Sequence, residues 1–106
     1  MSNVRKVLEG VQEQGVDESL SYGITTTPWG STPTSISVVV KDVTDPYNVT
    51  VVTDDVTSGS PSAAGDVITL PKLLSLTVNH KYRVETKFTD SDSNIWEAWF
   101  EVLAVL

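Results

Sequence analysis

The sequence predicts an all-β chain folded as a Greek-key sandwich, and three observations carry that prediction. The first is the run Leu76-Thr77-Val78-Asn79-His80-Lys81-Tyr82, which opens strict alternation through Tyr82, Val84, Thr86 and Phe88. In small sandwiches a tyrosine at the mouth of an alternating strand pins the loop that enters the penultimate strand. Its ring sits in the core and its hydroxyl bonds back to loop backbone. Leu76 and Tyr82 are therefore expected to be structural. The second is composition: many valines, with Ile36, Ile68, Ile95, Trp96, Trp99, Phe88 and Phe100, make a β-branched and aromatic set that suits a pleated, half-buried surface. The third is length, since 106 residues suit one sandwich domain and leave no room for a second. The expected architecture is an immunoglobulin-like or fibronectin-III-like sandwich of about seven strands over residues 17–106, preceded by an arm or short helix over residues 1–16. The chain has no cysteine, so packing alone must hold the sheets together.

In chain order, Val4, Val7, Leu8 and Val11 fall at helical spacing after a possible N-cap at Asn3, with Glu13 and Gln14 on the polar side, while Gly10 and Gly15 weaken a helix this short. Two readings stand. Either the segment is partly disordered or lies along the sandwich, or it is an arm that docks Val4, Val7, Leu8 and Val11 on a neighbouring subunit. Glu18 to Thr27 alternates Leu20, Tyr22 and Ile24 and reads as a strand. Trp29-Gly30-Ser31-Thr32-Pro33, between Pro28 and Thr34, reads as loop. A strand with Ile36, Val38 and Val40 inward is expected over Thr34 to Lys41. A turn at Asp45-Pro46 and a strand of ambiguous register over Asn48 to Thr53 follow. Asp54 to Gly65 is rich in Ser, Gly and Ala and admits at most one short edge strand near Val56. Asp66 to Leu70, His80 to Thr89 and Asn94 to Val105 complete the set, the last two joined by an acidic hairpin turn.

The final strand is unusual. Trp96, Ala98, Phe100, Val102 and Ala104 make one face, yet the opposite face carries Trp99 and Leu103 where a solvated sheet places polar residues. Trp99 and Leu103 are therefore candidates for a patch that another protein covers, or that the N-terminal segment folds back over. On the preceding strand Lys81, Arg83, Glu85 and Lys87 form a charged stripe.

Fourteen acidic against seven basic residues give a formal charge of −7, which repels phosphate backbones and argues against a nucleic-acid partner. No apolar stretch approaches the ~20 residues of a membrane span, and no charged-then-apolar leader opens the chain. Assembly into a particle inside the producing cell fits these features. Catalysis finds no support: His80 is the one histidine, there is no cysteine, and no nucleophile–base pair suggests itself. Asp90-x-Asp92-x-Asn94 with Glu101 copies several EF-hand ligand positions. Ile95 stands where that loop needs glycine, however, and the following strand cannot bring Glu101 back to an ion, so neither metal nor cofactor is expected. Asp54-Asp55 reads as solvated loop, and Asn48-Val49-Thr50 as a sequon without consequence.

Gly15 to Thr27, Trp29 to Val40, Gly65-Asp66-Val67-Ile68-Thr69, Leu76 with Tyr82-Arg83-Val84-Glu85, and Trp96-Glu97-Ala98-Trp99-Phe100-Glu101-Val102 together resemble the small Ig-like structural proteins of tailed bacteriophages. The resemblance covers most of residues 15–105. It implies a non-enzymatic virion component, assembled in the host cytoplasm. Such a component works as a capsid decoration or other accessory subunit and binds major capsid or tail subunits or further copies of itself. The competing expectation is an adhesion or carbohydrate-binding module in which Trp29, Tyr47 or Trp99 stacks on sugar rings.

Overall fold

The computed structural model describes residues 4–26 and 32–106, with side chains described from residue 11 onward. Along the chain run β1 (Val4–Gly15), β2 (Gly23–Thr25), β3 (Thr34–Asp42), β4 (Thr50–Val51), the single helical turn α1 (Thr53–Val56), β5 (Thr57–Ser58), β6 (Ser62–Ala64), β7 (Val67–Thr69), β8 (Lys72–Leu73), β9 (Lys81–Thr89) and β10 (Ile95–Val105). They form a five-stranded sheet in the order β1-β10-β9-β3-β4, a three-stranded sheet β2-β7-β6 and a small pair β5-β8. The fold is all-β apart from α1, with the character of a sandwich: Ile24 and Ile68 of the smaller sheet share one core with Val40, Val84, Phe88, Phe100 and Val102 of the larger. Burying each such side chain contributes about 1.5–3 kcal/mol, which is how a cysteine-free chain holds two sheets together.

Alternation decides which face is buried. On β9, Tyr82, Val84, Thr86 and Phe88 point inward while Lys81, Arg83, Glu85 and Lys87 point out. On β10, Ala98, Phe100, Val102 and Ala104 are buried in the same rhythm. Tyr82 is buried in the core, and its hydroxyl accepts the Thr77 N–H at 2.9 Å. Leu76, also buried, closes the loop beneath it. Gly65 turns the β6–β7 hairpin with φ +59°, the left-handed backbone that a two-residue connection needs.

The N-terminal segment is not a helix. β1 runs parallel to β10, with Val4 opposite Glu97, Lys6 opposite Trp99, and pairing resumed from Val11 opposite Glu101 to Gly15 opposite Val105. The edge of β10 satisfies this segment's backbone N–H and C=O groups, which a short helix interrupted by Gly10 could not do as well. Two expected strands are shorter than their alternation implied. Glu18 to Thr27 keeps only β2 and an isolated pairing of Leu20 with Leu73. Asn48 to Thr53 keeps only β4, because Val49 and Val51 lie exposed at the sheet margin and Val52 alone turns to the core. Asp54 to Gly65, expected to be nearly featureless, holds most of α1 with β5 and β6. Val56 anchors it by burying its side chain. Trp29 and its loop lie outside the described residues.

Candidate functional site

The outer face of the five-stranded sheet is the candidate site, and the pairing register dictates its layout. Across β10, β9 and β3 run the rows Glu97–Lys87–Ser37, Trp99–Glu85–Val39 and Glu101–Arg83–Lys41. The last row continues to Val11 on one side and Val51 on the other, and beyond it Leu103 lies between Glu13 and Lys81. Because side chains alternate at period two, every residue in these rows faces away from the core.

Charge organises the centre. Glu85 receives Lys41 Nζ at 3.0 Å and Arg83 Nε at 2.8 Å, the latter as an ion pair without the alignment of a hydrogen bond. The Arg83 guanidinium lies 3.9 Å from the centre of the Trp99 ring, a cation–π contact that orders both. Trp99 is therefore half-buried beneath a cation rather than bare, and Leu103 is half-buried beside it.

Next to this network an open depression of about 590 Å³ is lined by Val43, Pro46 and Val49 of the β3–β4 connection and by Lys81, Arg83 and Leu103 of the sheet. Asp42 fixes that connection. Its carboxylate accepts the Thr44 N–H at 3.0 Å and the Thr44 hydroxyl at 2.6 Å, and it meets His80 Nδ1 at 2.7 Å. The Thr44 hydroxyl in turn accepts the Lys81 N–H at 2.9 Å. Partial burial acts to raise the pKa of Asp42. The hydrogen bonds from Thr44 and His80 outweigh it, so the carboxyl sits below its ordinary 3.8. His80, read from sequence as a polar turn residue, is thus a clamp on that connection. Tyr47, which follows Pro46 in the same connection, is 93% exposed.

The candidate residues divide. Val11, Trp99 and Leu103 come together on the outer face, with Val11 exposed at its β1 margin. Val4 stands at the register of Glu97, while Val7 and Leu8 fall in the irregular stretch between Lys6 and Val11; the side chains of these three lie outside the described residues. Leu76 and Tyr82 belong to the core on the opposite side of the sheet.

The Asp90 carboxylate has its own occupation. Asp90 Oδ1 accepts the N–H groups of Asp92 and Asn94, each at 2.9 Å, and Oδ2 accepts the Trp96 indole N–H at 2.9 Å. The indole donor above all, with the two backbone donors, holds the Asp90 pKa below 3.8. These bonds spend the carboxylate on the turn. Among the described residues no group of three or more His, Cys, Asp or Glu is placed to share a metal ion, and no helix there is long and apolar enough to cross a membrane.

Gln14, expected on the polar side of an N-terminal helix, is instead turned into the core by β1. It is fully buried, donating through Nε2 to the carbonyls of Leu73 at 2.6 Å and Glu18 at 3.1 Å, while its Oε1 accepts the Tyr22 hydroxyl at 2.9 Å. One amide thereby ties β1 to β8 and to the segment leading into β2. No family model, curated protein or solved structure shows significant similarity to the chain.

Proposed function

We propose that this chain is a non-enzymatic immunoglobulin-like module that attaches to other proteins through the outer face of its five-stranded sheet, and that it serves as an accessory structural subunit of a phage virion, such as a capsid decoration. The Ig-like reading is supported by the strand order, with the last strand between the first and the penultimate, and by the tyrosine hydroxyl on the Thr77 N–H. The binding reading rests on one observation above the rest. An ordered Arg83–Trp99 pair and Leu103 flank an open depression also lined by Val43, Pro46 and Val49, on a surface with no structural need for apolar groups. The virion assignment comes from the sequence resemblance. Its test is co-sedimentation with particles lacking the protein. Leu103→Asp should stay folded by circular dichroism and lose attachment, and attachment at wild-type occupancy would refute the assigned face.

A carbohydrate-binding reading is favoured by the exposed Tyr47 ring in the β3–β4 connection, an available stacking platform where Trp99 already carries Arg83. Glycan binding abolished by Tyr47→Ala, with no attachment to particles, would select it.

A further inference from the structure

The outer face is divided in charge along its length. β9 and β3 present Lys41, Lys81, Arg83 and Lys87 against the single carboxylate Glu85, whereas β10 presents Glu97 and Glu101, with Glu13 of β1 beyond them and one cation, Lys6 of β1, at the register of Trp99. Four of the chain's seven basic residues are thus gathered in one strip beside an acidic strip, on a protein whose formal charge is −7. Among the described residues neither Lys81 nor Lys87 has an ion-pair partner within 4.0 Å. Elsewhere the surface is predominantly acidic, so two copies repel one another in most orientations and are steered to the face where the signs are balanced.

We propose that this face is self-complementary and that its partner is a second copy of the chain, packed face to face about a two-fold axis that runs parallel to the strands between β9 and β10. The inference rests on the outer face being a protein-binding surface. The axis follows from symmetry. Rotation about a line parallel to the strands lays the basic strip of each copy over the acidic strip of the other, whereas an axis perpendicular to the strands would set like charge on like. Residues of one row stay at one height, so Lys87 meets Glu97 of the second copy. Trp99 and Leu103 lie close to the axis, where apolar groups are best shielded from water. Four long strands about 4.8 Å apart, with nine residues of about 3.3 Å rise, give a face of ~600 Å² per partner, at the small end of specific interfaces.

Charge-swapped variants measured together by sedimentation velocity test this arrangement. Wild type should sediment as a dimer that dissociates as salt is added. Lys87→Glu alone and Glu97→Lys alone should each be folded monomers, because each homodimer would oppose like charges twice. An equimolar mixture of the two should recover the dimer, since both contacts then join opposite signs. A pairing confined within one copy cannot produce that rescue. A wild-type monomer, or a mixture that stays monomeric, overturns the inference; if such a monomer still binds particles and Leu103→Asp does not, the face takes a different protein and the proposed function stands.

Discussion

Removing the Tyr22 hydroxyl should cost more than one exposed hydrogen bond is worth. In Tyr22→Phe the ring keeps its packing against Phe100, 5.1 Å between centroids, and only the donor to Gln14 Oε1 is lost. Gln14 is fully buried, so its Oε1 is then left without a donor, which costs about 1–3 kcal/mol. Gln14→Leu removes three hydrogen bonds at once. It replaces the amide with an apolar group of similar length, however, and the Leu73 carbonyl keeps the Leu20 N–H at 3.1 Å. That variant should also lose about 1–3 kcal/mol. In the double variant no buried oxygen waits for the missing hydroxyl, so the two losses should fall short of their sum by about 1–2 kcal/mol. Urea unfolding followed by tryptophan fluorescence measures all four proteins, with an unchanged m-value showing that the denatured state is the same. Losses that add to within ~0.5 kcal/mol, or a Tyr22→Phe variant as stable as wild type, would refute the claim that this amide locks β1 to the body of the fold.

Tyr82→Phe should destabilise by about 0.5–1.5 kcal/mol through loss of the Thr77 contact, read in the same urea assay. The Thr86 hydroxyl is buried with no hydrogen-bond partner among the described residues, so Thr86→Val should raise stability by about 1 kcal/mol, seen as a rise in Tm of about 4 °C. Acid should unfold the protein in a predictable window. Asp42 and Asp90 have folded pKa values below 3.8, so the stability they contribute is present above that pH and is lost as pH falls through the folded values. A pH titration of Tm should show the drop beginning near pH 4, and it should be shallower in Asp90→Asn. At the other end burial, with the Glu18 charge second, raises the Tyr22 pKa above 10.0. Stability carried by the protonated phenol is therefore complete below pH 10 and declines as pH climbs toward the folded value, a decline that Tyr22→Phe should lack.

What was legible in the sequence was whatever a single strand states about itself. Lys81 to Thr89 alternates without interruption, and the structure buries Tyr82, Val84, Thr86 and Phe88 in that rhythm. β1 misled for a definite reason. Three more residues lie between Lys6 and Val11 than between their partners Trp99 and Glu101, and this irregularity breaks the period of two. The resulting spacing of Val4, Val7, Leu8 and Val11 imitates a helical stripe. Gln14 was expected on the polar side because nothing local marks a glutamine as buried; its partners lie as far away as Leu73, brought near only by the closed fold. Alternation alone puts Trp99 on the outer face. That it would sit beneath Arg83 required the register between β9 and β10, which alternation alone does not supply. Asp90 looked like a ligand because carboxylates that organise a hairpin and carboxylates that hold a cation share the same spacing in the chain.

The parallel pairing of β1 with β10 also determines how the protein carries mechanical load. The start of β1 and the end of β10 lie at opposite ends of the paired strands. Tension applied between those points pulls the strands lengthwise past one another, so the ladder bonds from Val11 to Gly15 are strained together rather than opened one by one. The Gln14 amide lies across the same slip direction and must break with them. Forced rupture is governed by the unfolding rate rather than by equilibrium stability. Gln14→Leu should therefore lower the force measured in single-molecule stretching by a larger fraction than Tyr82→Phe, whose hydrogen bond lies outside the sheared pair.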